Sequence, residues 1–183
     1  MEKAVAFFKK ITAVLTVIIT ALAAAIIALD VLSLFSESVG RYLLGSSRAF
    51  MEEFPRLLVP FFVFPMMSVL YKSGRHISVD LLPNRLSSRY KIMLRIVVGA
   101  VVLGVAVEMI IAGMSAVSHF KMMGLMSVTE WTLPMWWIYL SFPLGFGLLA
   151  IFALVSIISD SWQLFLVMKK DQSTLTDLQE EEP

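Results

Sequence analysis

Four long apolar stretches, separated by polar and charged segments, dominate the sequence. The first holds 19 consecutive residues, 11–29, without a charged side chain. A helix of that length extends about 28 Å, close to the ~30 Å hydrocarbon core of a bilayer. Because the stretch stays largely apolar to Phe35, it is also longer than the apolar segment of a signal peptide, which has about 7 to 15 residues. We therefore expect an uncleaved transmembrane helix over about 11–35.

The second apolar stretch is too short to cross a bilayer unless its helix begins upstream. Only 15 residues separate Arg56 from Lys72, which is about 22 Å of helix. A helix over about 49–72 would be long enough to span. Pro60 and Pro65 lie inside it, and each removes a backbone N–H donor, so we expect this helix to be kinked.

Two further stretches bring the predicted spans to four. The third, over about 92–118, has Glu108 as its one charged residue after Arg95, near the middle of the apolar run 96–118. The fourth, over about 132–162, places Trp137 and Trp162 25 residues apart. That distance is about 38 Å of helix, close to the separation of the two aromatic belts of a bilayer. The pattern predicts an all-α integral membrane protein with one four-helix transmembrane domain over 1–168.

The Lys and Arg residues indicate how these spans are oriented. Eleven of them flank one side of the predicted spans and four flank the other. Because basic residues concentrate on the cytoplasmic side, we expect both termini and the connection 72–95 to lie in the cytoplasm. Residues 169–183 form a polar, acidic tail that we expect to be disordered.

The composition excludes several classes of protein. Of the 183 residues, 58% are hydrophobic and 16% are charged, whereas soluble domains average about 45–50% and about 25%. The net charge of +1 gives no support to nucleic-acid binding, and the absence of Cys excludes disulfides and Cys-ligated metals. The two histidines, His76 and His119, lie in different predicted connections. We therefore expect no metal, no cofactor and no enzymatic activity in this chain.

Five charged residues gather around the outer end of the second predicted helix. They are Arg41, Arg48, Glu52, Glu53 and Arg56. Three interpretations are open: an internal ion-pair network that seals a helix end, a docking patch for an external protein, and a substrate gate. We expect internal pairing first, docking second and gating last.

Glu108 is the one charged side chain near the middle of a predicted span. An ionisable group at that depth costs several kcal/mol and is rarely kept without a partner. It is either a coupling-ion or proton carboxylate, or a carboxyl group hydrogen-bonded within a helix interface. Because no second charged residue lies between 96 and 118, we favour the structural interpretation.

Small side chains recur every four residues along the first predicted helix. The ridge they form consists of Thr12, Thr16, Thr20, Ala24 and Ala28. We expect this ridge to let a second helix approach closely, and a substrate-lining role for the threonines is the alternative. The same spacing joins Ala100 to Gly104 and Ser141 to Gly145.

The segment 41–82 holds a recognisable set of residues. Arg41 stands beside an aromatic residue, Glu52 and Glu53 are followed by Arg56, and the loop after the second span contains Gly74, His76, Ile77, Val79 and Asp80. With these residues the segment resembles the small Q-type membrane subunit of tripartite ATP-independent periplasmic (TRAP) transporters.

The resemblance implies a multi-pass subunit of the bacterial inner membrane with both termini inside. It implies two protein partners: a large M-type membrane subunit, which holds the substrate and sodium sites, and a periplasmic substrate-binding protein. The substrates of such symporters are organic acids, including C4-dicarboxylates and sialic acids. Sodium coupling is expected in the partner subunit, with no cofactor in this chain.

Two other functions stay open on the residues alone. A self-sufficient, dimeric, proton-coupled exporter with four spans would use Glu108 as its carboxylate. The long connection from Asp30 to Arg56 and the position of Glu108 on the third helix disfavour it. No internal repeat is present that could form the two gates of a secondary transporter. A membrane enzyme would need a nucleophile and base or a metal site, and the sequence offers neither. An accessory subunit that packs on a larger membrane protein therefore fits the sequence best.

Overall fold

A computed structural model of the chain describes the backbone of residues 2–45, 49–73, 88–127 and 132–180. Its side chains are described over 10–43, 57–73, 89–127 and 132–168. The described backbone forms helices that we number α1 to α5 in chain order. They are α1 Glu2–Leu44, α2 Ala49–Lys72, α3 Ser88–Met123, α4 Met135–Tyr139 and α5 Ser141–Glu180.

Three segments within the described residues are long and apolar enough to cross a membrane. They are Lys10–Leu43, Arg89–Met123 and Met135–Met168. A fourth apolar segment, Leu57–Lys72 in α2, is shorter. The predicted all-α membrane fold is confirmed at this level, while the orientation of the termini and the kinking of α2 stay predictions.

Helix α1 continues well beyond the end predicted for the first span. The predicted end was near residue 35, but the helix ends at Leu44, directly before Gly45. Gly45 has a φ of 61°, the left-handed conformation that commonly ends a helix and that glycine adopts without strain. Between Glu2 and Leu44 the chain contains no proline to stop the helix earlier. Much of the predicted outer connection is therefore helical.

The fourth predicted span is interrupted close to its start. The short helix α4 ends at Tyr139, and α5 begins at Ser141. Pro143 has no backbone N–H, so it cannot donate to the carbonyl oxygen of Tyr139 four residues earlier. The hydroxyl of Ser141 donates to the carbonyl oxygen of Ile138 at 2.7 Å, which satisfies one acceptor at the break.

The acidic tail differs from its prediction. Residues from 169 onward were expected to be disordered, yet α5 is helical through Glu180. No glycine or proline occurs between Gly147 and Pro183. A helix that is already nucleated in the apolar segment can therefore propagate into the polar one at little further cost. The backbone of 169–180 is described as helical, and 181–183 lie outside the described residues.

The helices pack as an open row instead of a closed bundle. Within the described residues, α1 packs mainly on α2, α2 on α5, and α5 on α3. The two ends of the row, α1 and α3, are not extensively in contact with each other. A row one helix thick leaves two broad apolar faces uncovered within the chain. Such faces are stable where lipid or a larger membrane partner surrounds them.

The buried residues of α3 follow a seven-residue repeat. Ile92, Gly99, Ala106 and Gly113 are each separated by seven positions and are all buried. A repeat of seven keeps one stripe of a helix against its neighbour when the two cross at about 20°. Ala106 belongs to the core cluster with Leu149 and Ala150 of α5, and aromatic and aliphatic side chains pack around them.

Glycines mark the places where the helices approach most closely. A Cβ atom at Gly145 would lie 2.6 Å from the carbonyl carbon of Phe64, so α5 touches the backbone of α2 there. A Cβ at Gly113 would lie 2.7 Å from the ring of Phe142. Phe64 and Phe142 in turn meet edge to face, with ring centroids 4.9 Å apart. These glycines and rings form the central contact between α2, α3 and α5.

Candidate functional site

A polar layer joins the helices at the end where α2 finishes, which we call the inner end after the predicted orientation. The Nζ of Lys72 donates to the hydroxyl of Thr16 on α1 at 3.2 Å and lies 5.7 Å from the centre of the Phe152 ring on α5. Because the ammonium keeps a hydroxyl and an aromatic face as partners, Lys72 ties three helices together.

The same layer extends to α3. A hydrogen bond joins the side chains of Tyr71 and Ser156, and the guanidinium of Arg95 lies 4.0 Å from the carboxylate of Asp160. The sequence analysis did not select these contacts. The available signal was that Lys72, Arg95 and Asp160 each stand at the edge of an apolar stretch, where charged groups of neighbouring helices meet.

The opposite, outer ends of α3 and α4 are held by a turn and by aromatic contacts. Ser127 donates its N–H to the carbonyl oxygen of Leu133 at 2.7 Å, closing the hairpin between the two helices. Phe120 stacks on Tyr139 with ring centroids 4.2 Å apart, and Lys121 lies over the Trp136 ring at 5.6 Å. This combination of aromatic rings and a Lys is typical of a membrane–water interface.

The ridge of small residues on α1 is only partly an internal seam. Thr12 is buried and Thr16 is half-buried, whereas Thr20, Ala24 and Ala28 are exposed. A step of four residues turns a helix by about 400°, so each ridge position is displaced by about 40° from the last. Over the ridge this drift amounts to about 160°, which carries Ala28 away from α2. The exposed part remains a predicted contact with a partner.

The face of α1 that packs within the chain shares Thr12 with the ridge and otherwise uses other residues. Its buried positions recur at intervals of four or seven: Thr12, Ile19, Ala23, Asp30 and Glu37. The hydroxyls of Thr16 and Thr20 donate to the carbonyl oxygens four residues earlier, at 2.6 and 2.8 Å. These threonines therefore satisfy their polar groups within their own helix, as a helix in lipid requires.

Asp30 is a buried carboxylate that the sequence analysis did not select. Only 9% of the residue is exposed, and its Oδ1 atom has no hydrogen-bond partner in the part of the chain that the structure describes. The residue directly follows the first uninterrupted apolar run, 11–29, and lies inside the span predicted over 11–35. Its seven-residue spacing from Ala23 and Glu37 indicates that it lies on the buried face of α1.

The outer charged cluster is described in part. Arg41 contacts Glu37 one helical turn earlier on α1, an i,i+4 pair at the end of the helix. Arg48 and the side chains of Glu52, Glu53 and Arg56 lie outside the described residues, as do the loop residues Gly74, His76 and Asp80. The predicted pairing across this cluster therefore stays a prediction.

Glu108 lies on the outward face of α3. It is exposed, and it follows the buried Ala106 by two residues, a turn of about 200°. It therefore points away from α5, the helix that covers Ala106. Among the residues that the structure describes, no group of three or more His, Asp and Glu side chains is arranged to hold a metal ion. The exposed carboxylate is consequently not part of a clustered acidic site in the described chain.

Comparison with protein families decides the class of protein. Residues 30–162 match the family described as tripartite ATP-independent periplasmic transporters, DctQ component. The match covers more than two thirds of the chain. This chain belongs to that family. It is therefore a component of a multi-pass membrane transporter, in agreement with the resemblance seen in residues 41–82. No individually curated protein matches the chain significantly.

The extent of the match separates the candidate residues into two groups. The family match includes Glu108, the outer charged cluster and the loop with His76, and it ends at Trp162. The ridge from Thr12 to Ala28 and the polar segment of α5 beyond Trp162 lie outside it. The family assignment thus rests on α2 to α4, the last third of α1 and the first half of α5.

Proposed function

We propose that this chain is the small permease subunit of a TRAP transporter and scaffolds the large membrane subunit, which carries out transport. The system takes up an organic acid of the C4-dicarboxylate or sialic acid type, coupled to sodium and served by a periplasmic binding protein. The observation that carries the proposal is the family match over 30–162.

The open row of helices supports a scaffolding role. A secondary transporter needs a site near the middle of the bilayer that two sets of helices close alternately. Here α1, α2, α5 and α3 follow one another in a single layer. A single layer has no second set of helices to form the other gate. Its broad apolar faces are instead suited to lie against a larger membrane protein.

We propose that both termini lie in the cytoplasm of a bacterial cell, in the inner membrane. The uneven distribution of Lys and Arg supports this orientation. Because the chain has no native Cys, His76→Cys and Arg48→Cys provide single labelling sites on opposite sides. A membrane-impermeant thiol reagent should label position 48 in intact spheroplasts and position 76 only after permeabilisation. The reverse pattern would show that the orientation is inverted.

We propose that the outer charged cluster is an internal ion-pair network. Because a membrane interface is partly withdrawn from water, losing one partner of a pair there should cost more than the 0.2 to about 1 kcal/mol of an exposed pair. Glu52→Ala and Arg56→Ala combined should therefore lose less stability than the sum of the single variants. Thermal unfolding of the detergent-solubilised complex measures this coupling. Strict additivity would rule out direct pairing of these two residues.

Co-purification tests the proposed partnership. The chain carries an affinity tag and is expressed with an untagged large membrane subunit of the same transporter and solubilised in mild detergent. We expect the large subunit to be retained at about one copy per chain, and to be absent when the tag is placed on an unrelated four-span protein. A chain that purifies alone, with the large subunit intact in the unbound fraction, would contradict the proposal.

A further inference from the structure

Glu108 lies near the middle of the membrane. Along the antiparallel contact of α3 and α5, Gly99 meets Ile157 and Gly113 meets Phe142. Glu108 is between the two glycines, so it lies at the height of residues 147–148 of α5. That height is about halfway between Trp136 and Trp162, which mark the two ends of the fourth span.

The face of α3 that carries Glu108 has no neighbour in the described chain. Val101 and Ile111, one or two turns away on this face, are 61% and 60% exposed. Gly104 and Ala112, one turn to either side of Glu108, are also exposed, and a Cβ atom at Gly104 would meet nothing within 4 Å. The described residues give Glu108 no hydrogen bond or ion pair. A carboxylate in the bilayer centre is thus flanked by small residues on an open helix face.

This arrangement specifies the chemistry of whatever covers it. A charged side chain at the bilayer centre is costly unless a partner group compensates it, so the neighbour must supply a hydrogen-bond donor or a cation. The small residues at Gly104 and Ala112 allow the backbone of another helix to come close enough for a direct contact. An apolar lipid chain supplies neither.

A second copy of this chain is disfavoured as the neighbour. Two copies related by a two-fold axis along this face would place the same patch against itself, and Glu108 against its own counterpart. Like charges at that depth repel strongly because the surrounding medium does not screen them. A neighbour of complementary charge is therefore a different protein.

We propose that the outward face of α3, centred on Glu108, binds a transmembrane helix of the large membrane subunit that presents a Lys, Arg or neutral hydrogen-bond donor at mid-membrane depth. This inference rests on the proposed function and adds to it the surface and the polar contact of the subunit interface. Glu108 is a positioning residue for assembly in this account, and transport takes place in the partner.

Photo-crosslinking in native membranes tests the surface. A photoreactive amino acid replaces Ile111 on the proposed face or, as a control, Leu154, a 45% exposed residue of α5. We expect an adduct with the large subunit from position 111 and a several-fold weaker one from position 154. Two results would overturn the inference and leave the proposed function intact. One is an adduct between two copies of this chain, and the other is an intact complex that crosslinks to the large subunit only from position 154. Failure of both crosslinking and co-purification would instead contradict the proposed function.

Variants test the role of the carboxylate. Glu108→Leu and Gly104→Leu should each reduce the association constant with the large subunit roughly 3- to 30-fold, the range of single polar or close-packing contacts in membranes. Glu108→Gln retains a hydrogen-bonding group and should lose less than Glu108→Leu. Gly147→Leu is the matched control, because Gly147 also has nothing within 4 Å of an added Cβ atom. Equal association of the Glu108→Leu variant and the unmodified chain, with equal thermal stability, would overturn the proposal.

Discussion

The two faces of α3 are built from similar small residues but differ in what covers them. On the inward face, a Cβ atom added at Gly99 or Gly113 would lie 2.8 or 2.7 Å from a side chain of α5. On the outward face, Gly104 has open space around it and stands one turn from a charged residue. Small residues in a membrane helix therefore mark contacts of two kinds, within the chain and with a partner. The position of a residue in the seven-residue repeat distinguishes the two.

Gly145→Ala should have the largest effect on the isolated chain. The added Cβ atom would lie 2.6 and 2.9 Å from the carbonyl carbon and Cα of Phe64, and a backbone cannot turn aside as a side chain can. We expect a loss of about 1 to 3 kcal/mol in the free energy of unfolding, the range found for overpacked cores. Thermal unfolding in detergent measures it. Unchanged stability would show that α2 and α5 are farther apart than described here.

Gly113→Ala should destabilise the isolated chain less. Its new Cβ atom would lie 2.7 Å from the ring of Phe142, and a ring can shift more readily than the backbone. We expect a loss of about 1 kcal/mol. A loss larger than that of Gly145→Ala, measured in the same detergent, would place the tightest contact between α3 and α5 instead of between α2 and α5.

Ala24→Leu should affect association more than folding. Ala24 is exposed on α1, on the part of the ridge that turns away from α2. The larger side chain should leave the melting temperature of the isolated chain unchanged and weaken binding to the large subunit, if the partner also packs on this ridge. Ala23→Leu is the matched control, because Ala23 is buried in the seam and should lower the melting temperature. Equal binding by the Ala24→Leu variant and the unmodified chain would remove the ridge from the interface.

Among the three glycine variants, Gly104→Ala should have the smallest effect on the isolated chain, and of opposite sign. With nothing within 4 Å of the new Cβ atom, no clash opposes the gain in helix stability of about 0.5 to 1 kcal/mol expected when Ala replaces Gly in a helix. Replacing Gly by Ala should therefore raise the free energy of unfolding at Gly104 on the outward face and lower it at Gly113 on the inward face. Destabilisation by Gly104→Ala in the monomeric chain would contradict the open face.

The apolar helices were predictable because the bilayer fixes the length of an apolar helix. Helices α1, α2 and α3 contain the first three predicted stretches, and α4 and α5 cover most of the fourth. Their ends were harder to predict. Nothing in residues 36–44 stops α1, so the helix continues past the apolar run, and the polar part of α5 does likewise after Met168. Pro143 could have predicted the interruption at Leu140. A proline has no N–H, so the carbonyl oxygen four residues earlier loses its helical hydrogen bond.

The inward and outward faces could not be predicted from hydrophobicity. In water a helix hides its apolar face, but in lipid both faces are apolar, so the pattern carries little directional information. The four-residue ridge on α1 was chosen by residue size, and it leaves the seam after Thr16 because the contact repeats every seven residues. Asp30 and Glu37 lie in that seam, which shows that polar residues can also mark a buried stripe.

The most direct test of the account is uptake by reconstituted proteoliposomes under a sodium gradient, with purified binding protein and labelled organic acid. Three preparations are compared: this chain alone, the large subunit alone, and both together. The account predicts sodium-dependent uptake by the complete pair, little or none by the large subunit without its scaffold, and none by this chain alone. Transport by this chain alone, abolished by Glu108→Gln, would contradict the scaffold role and show that the chain is itself a transporter.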